Sequence, residues 1–221
     1  MSCACSSLVG ATARHFDEAK ARHELESYRK SGPQTTTRSL LGLLAGSEPP
    51  PETVLDIGSG IGALSLELLR AGVQRSTCVD LSAAILAANV EEAQRQGVAD
   101  RIERVEGDFA AIAATLPHAE LVALDRVVCC YPVYAPLLEQ AADHSRRLLA
   151  MSYPRNRWWV HVALWVENAW RRIRGNRFKA FVHSPAAMTS LLRAHGFALA
   201  RTATTFTWQM DLYVRKAALT P

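Results

Sequence analysis

Short apolar runs alternate with longer amphipathic stretches through the middle of this chain. The runs have the length of buried strands and are predicted at 53–57, 77–80, 102–106, 121–128 and 147–153. Apolar residues at helical spacing follow them at 63–69, 83–96, 136–142 and 184–195. Strands that alternate with helices predict an α/β fold, a doubly wound and mostly parallel sheet. The last two strand-like runs predict an antiparallel ending at 197–205 and 208–215.

Breaks in composition divide the chain into parts. A small-residue tail at 1–10 is expected to be disordered. Residues 11–48 are predicted to form an N-terminal helical arm, and three prolines connect it to the main domain at 49–221. Within that domain, 154–183 separates a strand from the next helix and is interpreted as an inserted, lid-like segment.

Three glycines at alternate positions follow the first predicted strand: Gly58, Gly60 and Gly62. A helix then resumes, so the stretch predicts a strand, a tight turn and a helix, as in a nucleotide-binding unit. Glycine lets the backbone approach a ligand closely and adopts positive φ without strain. The spacing also satisfies the loose dinucleotide fingerprint, so this loop alone leaves an NAD-dependent oxidoreductase open.

Two acidic residues bear on whether the loop binds a dinucleotide or S-adenosylmethionine. Asp80 follows the second strand, where its carboxylate can accept hydrogen bonds from two ribose hydroxyls of either ligand. Asp56 lies inside the first strand, where it repels a pyrophosphate but attracts an ammonium group. S-adenosylmethionine carries an ammonium and no phosphate, so Asp56 favours it.

Taken in order, these motifs resemble those of the class I S-adenosylmethionine-dependent methyltransferases over roughly residues 50–153. The resemblance implies a seven-stranded, Rossmann-like sheet with an antiparallel C-terminal strand. It implies that Asp108, after the third strand, meets the adenine amino group and that the fourth strand ends beside the transferred methyl. The cofactor-binding residues that it implies are Asp56, Gly58, Ser59, Gly60, Gly62, Asp80, Leu81, Gly107, Asp108, Phe109 and Asp125.

The second half of the chain resembles the magnesium-protoporphyrin O-methyltransferase branch, which esterifies a porphyrin propionate. The resemblance rests on 124–132, 148–154 and 181–183, although Cys130 stands where that branch commonly has histidine. It implies a planar, acidic small molecule as acceptor, and an unassigned small-molecule acceptor is an equal alternative. Residues predicted to face the methyl in a catalytic role are Tyr131, Tyr153 and His183.

The insertion is rich in tryptophan and arginine. Apolar residues fall on one helical face at Trp159, Val162, Ala163, Val166 and Trp170. Residues 157–181 include six basic residues and one acidic residue. The resulting charge of +5 exceeds the net charge of the whole chain, which is +4. The segment is interpreted as a helix packed on the sheet edge, with a lid or a peripheral membrane contact through 157–179 as alternatives.

Composition excludes several classes of protein. No apolar run approaches a membrane span and no signal peptide is indicated, so a cytoplasmic globular enzyme is expected. The five cysteines do not predict a disulfide framework. A soft-metal or thiophilic site at Cys3, Cys5, Cys129 and Cys130 is the less favoured alternative to free thiols, and no metal is assigned.

Two other functional alternatives stay open. One is a non-catalytic relative that binds the cofactor, because methyl transfer has no obligatory catalytic dyad whose absence could be detected. The other is methylation of a nucleic acid or a protein, which is less favoured because the usual amino-methylating tetrapeptide is absent after the fourth strand. The oligomeric state is not determined by the sequence.

Overall fold

The computed structural model describes Gly10, Thr12 and residues 15–216. The tail predicted to be disordered lies outside the described residues apart from Gly10, and so do Cys3 and Cys5. Among the described residues, no helix combines the length and the hydropathy that a membrane span requires.

A seven-stranded sheet forms the centre of the fold, in the order β3-β2-β1-β4-β5-β7-β6. Its strands are β1 (Thr53–Ile57), β2 (Arg75–Asp80), β3 (Ile102–Glu106), β4 (Ala119–Asp125), β5 (Ser145–Pro154), β6 (Phe197–Thr204) and β7 (Trp208–Arg215). β1 to β5 are parallel, whereas β7 runs antiparallel to both of its neighbours. The predicted α/β sheet with an antiparallel C-terminal strand is therefore confirmed.

Helices cover both faces of this sheet. They are α1 (Glu18–Ser31), α2 (Thr35–Leu44), α3 (Ala63–Arg70), α4 (Ala83–Arg95), α5 (Phe109–Ile112), α6 (Ala135–His144), α7 (Trp158–Ile173) and α8 (Pro185–Ala194). One core contains Leu40, Leu66 and Ile85, from α2, α3 and α4. The other contains Leu137 and Met188, from α6 and α8. Burial of these faces provides the main stabilisation of the fold.

The chain reverses its strand order at β1, which pairs with β2 on one side and β4 on the other. Connections leave β1 and β4 in opposite directions, so their carboxyl ends are separated by a crevice. In open α/β sheets, ligands bind at such a switch point. The glycine loop that follows β1 lies here.

The fourth strand is shorter than predicted. It ends at Asp125, and the residues predicted to continue it form a 3₁₀ turn at Val128–Cys130. The cause is Arg126, whose φ of 63° turns the backbone away from the extended conformation. The apolar side chains of Val127 and Val128 are buried in the turn rather than in the sheet.

The predicted packing face of the insertion is also wrong. α7 is a helix, but it is rotated so that Val160 is buried, whereas Val162, Val166 and Trp170 are exposed. Trp159 is half-buried and stacks on Phe206 of the β6–β7 turn. An apolar stripe on a helix does not specify which neighbour covers it, and here the described residues leave most of it uncovered.

Candidate functional site

A cavity of about 340 Å³ opens at the carboxyl ends of β1, β2 and β4. Seven of the predicted cofactor-binding residues line it: Gly58, Gly60, Asp80, Leu81, Gly107, Phe109 and Asp125. Asp56 and Ser59 line a smaller adjoining cavity of about 60 Å³. The structure does not place Gly62 or Asp108 on the cavity wall.

The three glycines of the loop all have positive φ but perform different tasks. A Cβ on Gly62 would lie 1.8 Å from Asn89 Nδ2, and one on Gly58 would lie 2.5 Å from Val127. These two glycines are therefore required by protein packing. A Cβ on Gly60 would meet nothing closer than Glu24 at 3.8 Å, and would project into open space. Gly60 thus leaves room at the cavity wall for something other than protein.

Asp80 orders this loop from the end of β2. Its Oδ2 accepts a hydrogen bond from Gly60 N at 2.9 Å, and its Oδ1 accepts one from Ser82 N at 3.0 Å. Burial raises the pKa of Asp80, although the backbone donors lower it in part. The Asp80 carboxylate lines the cavity, where it can accept hydrogen bonds from hydroxyl groups such as those of a ribose.

Asp56 and Asp125 lie behind the loop. Ser65 Oγ donates to Asp56 Oδ2 at 2.7 Å, while Thr37 and Ser152 donate to the two oxygens of Asp125. In the described part of the chain neither carboxylate forms a salt bridge, and neither does Asp80. Three acids without a cationic partner fit the positively charged ligand that the resemblance implies, and would repel a pyrophosphate.

Burial, together with the negative charges of Asp125 and Asp80, raises the pKa of Asp56 to about 7, although the Ser65 hydrogen bond opposes the shift. In the unfolded chain the pKa is about 3.9. Between these values only the folded state holds the proton, so stability falls as pH rises, by about 1.4 kcal/mol per pH unit. We expect urea unfolding of cofactor-free Asp56→Asn to lack this component of the pH slope. Parallel slopes for the two proteins would contradict the assignment.

Asp108 and Tyr131 form a hydrogen-bonded pair beside the cavity. Asp108 caps α5, its Oδ1 accepting from Ala110 N at 3.2 Å and from Tyr131 Oη at 2.6 Å. Burial raises the pKa of Tyr131, and the neighbouring Asp108 raises it further. Tyr131 lines the cavity. Its hydroxyl is committed to Asp108 and is poorly suited to act as a general base.

The other two predicted catalytic residues do not line this cavity. His183 Nε2 donates to the carbonyl oxygen of Tyr131 at 2.9 Å, and burial lowers the pKa of this imidazole. Tyr153 is buried, and its hydroxyl donates to Asp211 Oδ2 between β5 and β7. The structure therefore brings only Tyr131 of the three to the cavity.

We expect Tyr153→Phe to lower stability and leave turnover unchanged. The change removes a buried hydrogen bond to Asp211, which typically costs about 1–2 kcal/mol. Urea unfolding and steady-state rates measure the two effects. Tyr213→Phe is the companion variant, because it removes a longer bond of 3.3 Å to the same carboxylate together with a 2.9 Å bond to Thr189 Oγ1. A rate loss in Tyr153→Phe without a stability loss would instead assign Tyr153 to the chemistry.

Sequence reasoning missed several residues that line the cavity. The imidazole of His15 stacks on Phe178 with centroids 4.5 Å apart, and Phe16 contacts the same ring edge-on. Asn176 Nδ2 donates to His15 Nδ1 at 2.8 Å. This aromatic seam joins the N-terminal arm to the segment after α7. Spacing along the sequence could not predict these aromatic contacts, because the partners are more than 160 positions apart.

Arg126 was also missed as a site residue, although it lines the cavity. Its backbone N–H donates to Ser152 Oγ at 2.8 Å, which holds the left-handed conformation. Its side-chain Nε is buried and has no hydrogen-bond partner within the described part of the chain. A strained arginine with an unsatisfied donor indicates a binding role. Only the φ value of Arg126 and its position on the cavity wall reveal this role.

Cys129 and Cys130 line the cavity beside Arg126. Their thiols lie 3.4 and 3.6 Å from the Arg126 carbonyl oxygen. A hydrogen bond from Cys129 lowers the pKa of Cys130, burial opposes this, and the Arg126 guanidinium lowers it again. The four-cysteine hypothesis stays a hypothesis, since its other two members lie outside the described residues.

Comparison with known proteins finds methyltransferases. Residues 54–151 match the family model described as a methyltransferase domain. The ribosomal protein L11 methyltransferase of Alteromonas mediterranea is 38% identical over 73 residues, which are 33% of this chain and 25% of that protein. The chain therefore spans only a quarter of the length of this curated relative.

Solved structures extend the likeness to most of the chain. Magnesium protoporphyrin IX methyltransferase from Synechocystis, solved with bound SAH, has a TM-score of 0.67 at 23% identity, covering 83% of each chain. An O-methyltransferase family protein from Burkholderia thailandensis has a TM-score of 0.72 at 14% identity, covering 92% of this chain and 62% of its own. At these identities the likeness establishes the shared fold.

Proposed function

We propose that this chain, which contains a class I methyltransferase domain, binds S-adenosylmethionine and methylates a planar, acidic small molecule. The observation that carries the first part is the glycine loop at the β1 switch point, ordered by Asp80 and open only at Gly60. The methyltransferase-domain match over 54–151 covers the same residues. The second part rests on the composition of the cavity wall.

When bound, S-adenosylmethionine supplies a methyl group on a positively charged sulfur. In this proposal Asp80 accepts hydrogen bonds from its ribose hydroxyls and Asp125 provides negative charge for its ammonium group, whose positive charge favours the ionised form of Asp56. The role left to the protein is to hold the two reactants close and aligned in this cavity. An in-line displacement needs little more from the side chains.

The acceptor side of the cavity combines aromatic and basic groups. Phe178 and His15 stack on each other in the wall, and the Arg171 guanidinium lies 5.0 Å from the centroid of the Phe178 ring. Lys20 and Arg126 form no salt bridge among the described residues. A planar acid would stack on Phe178 and His15 and place its carboxylate against Lys20 and Arg126.

Acid–base groups in the cavity also favour a carboxylate acceptor. The nucleophilic oxygen of a carboxylate is already ionised at neutral pH, so it needs no general base. Tyr131 is bonded to Asp108, and His15 Nδ1 is occupied by Asn176. An alcohol or amine acceptor would find neither group free to take its proton.

The structural similarity to magnesium protoporphyrin IX methyltransferase from Synechocystis directs the choice of acceptor to porphyrin propionates. A volume of about 340 Å³ is that of one drug-sized ligand. We therefore expect the seam between His15 and Phe178 to open when cofactor and a tetrapyrrole bind together.

The decisive experiment has two steps. Calorimetric titration with S-adenosylhomocysteine and with NADH identifies the cofactor, and micromolar affinity for the first alone is expected. Release of S-adenosylhomocysteine is then measured with magnesium protoporphyrin, with its propionate ester and with neutral flavonoids. Turnover of the free acid alone supports the proposal. Binding of NADH alone would overturn the cofactor, and binding without turnover of any acid would favour a non-catalytic relative.

A further inference from the structure

We propose that α7 docks this protein on an anionic lipid surface. The surface in question, termed the outer face, consists of Trp158, Val162, Trp165, Val166, Trp170 and Ile173. These residues recur at the three- and four-residue spacing that places side chains on one side of a helix. Vesicle binding requires neither the cofactor nor an acceptor, so this inference goes beyond the proposed function.

The exposure of the outer face is high for such large side chains. Trp158 is 75% exposed, Trp165 72% and Ile173 78%. Phe206, also 75% exposed, continues the patch past Trp159, on which it stacks. Contiguous apolar patches of this kind mark sites that bind another apolar phase. Over 16 residues the helix presents a stripe about 24 Å long.

Charge complementarity selects the lipid surface. The basic flank consists of five exposed residues, Arg157, Arg172, Arg174, Arg177 and Lys179. The guanidinium of Arg174 lies 4.5 Å from the centroid of the Trp170 ring, so charge and aromatic surface are adjacent. Interfacial helices combine tryptophan on one side with arginine and lysine at its border. The basic flank is attracted to anionic headgroups while the outer face enters the acyl boundary.

A second copy of the chain is a poorer occupant of this surface. Glu167 is the one acid on α7, and it forms a salt bridge with Arg171 of the same helix. Two outer faces pressed together would bring two basic flanks together without a complementary acid, and like charges in contact are unfavourable.

The opposite side of the helix gives docking a direction. Leu164, Glu167 and Arg171 line the cavity at the carboxyl ends of β1, β2 and β4, so a docked α7 holds the wall of that cavity at the lipid surface. If the proposed function is correct, an apolar planar acid dissolved in the bilayer would be within reach of the site. This last consequence rests on the proposed function, whereas docking does not.

Vesicle co-sedimentation tests the proposal directly. The full chain is mixed with vesicles of phosphatidylcholine alone or of equimolar phosphatidylcholine and phosphatidylglycerol. We expect binding to the anionic vesicles with a blue shift of tryptophan emission, because four of the five tryptophans lie on α7. Absence of binding by the wild-type chain would overturn the proposal.

Variants separate the two parts of the surface. Trp158→Ser with Trp165→Ser should weaken binding at least about tenfold by removing apolar area. Arg172→Ser with Arg174→Ser should weaken binding to anionic vesicles by roughly 30-fold and reduce the preference for them by the same factor. Leu199→Ser, an exposed apolar residue on β6, is the matched control and should bind as wild type.

Three further results keep the proposal falsifiable. Unchanged vesicle binding by the double tryptophan variant would contradict it. A wild-type dimer that this variant converts to a monomer, without lipid, would instead identify the outer face as a protein interface. Titration of each variant with S-adenosylhomocysteine reports the cofactor site separately, and unchanged affinity excludes misfolding as the cause of lost binding.

Discussion

Gly60→Val is expected to reduce the affinity for S-adenosylhomocysteine by more than about 100-fold while the protein stays folded. The added side chain would project into the open space at the cavity wall and occupy the position proposed for the cofactor. Because the φ of Gly60 is 56°, the change also costs about 1–2 kcal/mol of stability. Calorimetric titration measures the affinity and urea unfolding measures the stability.

Gly97→Val is the matched control. Gly97 has a φ of 70° and open space around its Cβ position, but it lies at the end of α4 and not on the cavity wall. It should show a similar loss of stability with unchanged affinity. Gly60→Ala, a smaller block, should give an intermediate affinity if the wider variant fails to fold. Wild-type affinity in both Gly60 variants would reject the assignment of the cofactor loop.

Arg126→Met is expected to lower kcat/KM for a carboxylate acceptor by roughly 30-fold to 5,000-fold. The change removes one partner of a charge-assisted bond in a half-buried cavity, which typically costs about 2–5 kcal/mol. Affinity for S-adenosylhomocysteine should stay unchanged, because we assign Arg126 to the acceptor. An equal loss of both quantities would instead place the guanidinium on the cofactor.

Two companion variants of Arg126 isolate the guanidinium from the backbone. Arg126→Gly removes the side chain but adopts the φ of 63° without strain, so it should be at least as stable as wild type and equally impaired with the acid. Arg126→Lys keeps the charge but loses the planar fork and should recover only part of the activity. Arg70→Met, at an exposed position on α3, serves as the distant control.

Most of the fold could be predicted from local signals. β1, β3 and β7 have the predicted bounds, because the alternation of apolar and polar residues acts over a few positions. Ser82 and Ser184 cap their helices through equally local contacts, since each hydroxyl accepts a hydrogen bond from a backbone N–H three residues later. The three glycines at alternate positions likewise identify the loop after β1 from the sequence, and the structure gives all three a positive φ.

The tertiary structure decided which side chains meet. Tyr153 belongs to the core because β7 brings Asp211 beside it, 58 positions away. His15 belongs to the cavity because the N-terminal arm folds against Phe178. Neither contact leaves a periodic trace in the sequence, since it depends on the order of strands and on the path of the arm.

The orientation of α7 is the clearest division between the two kinds of information. The sequence by itself determined a helix with an apolar stripe beside a basic cluster, because the 3.6-residue period and the charges are local. Only the tertiary structure decided that Val160 and Leu164 face inward while Trp158 and Trp165 face outward. The physical reason is that a helix with apolar residues on more than one side is oriented by the shape of its neighbours, not by its own period.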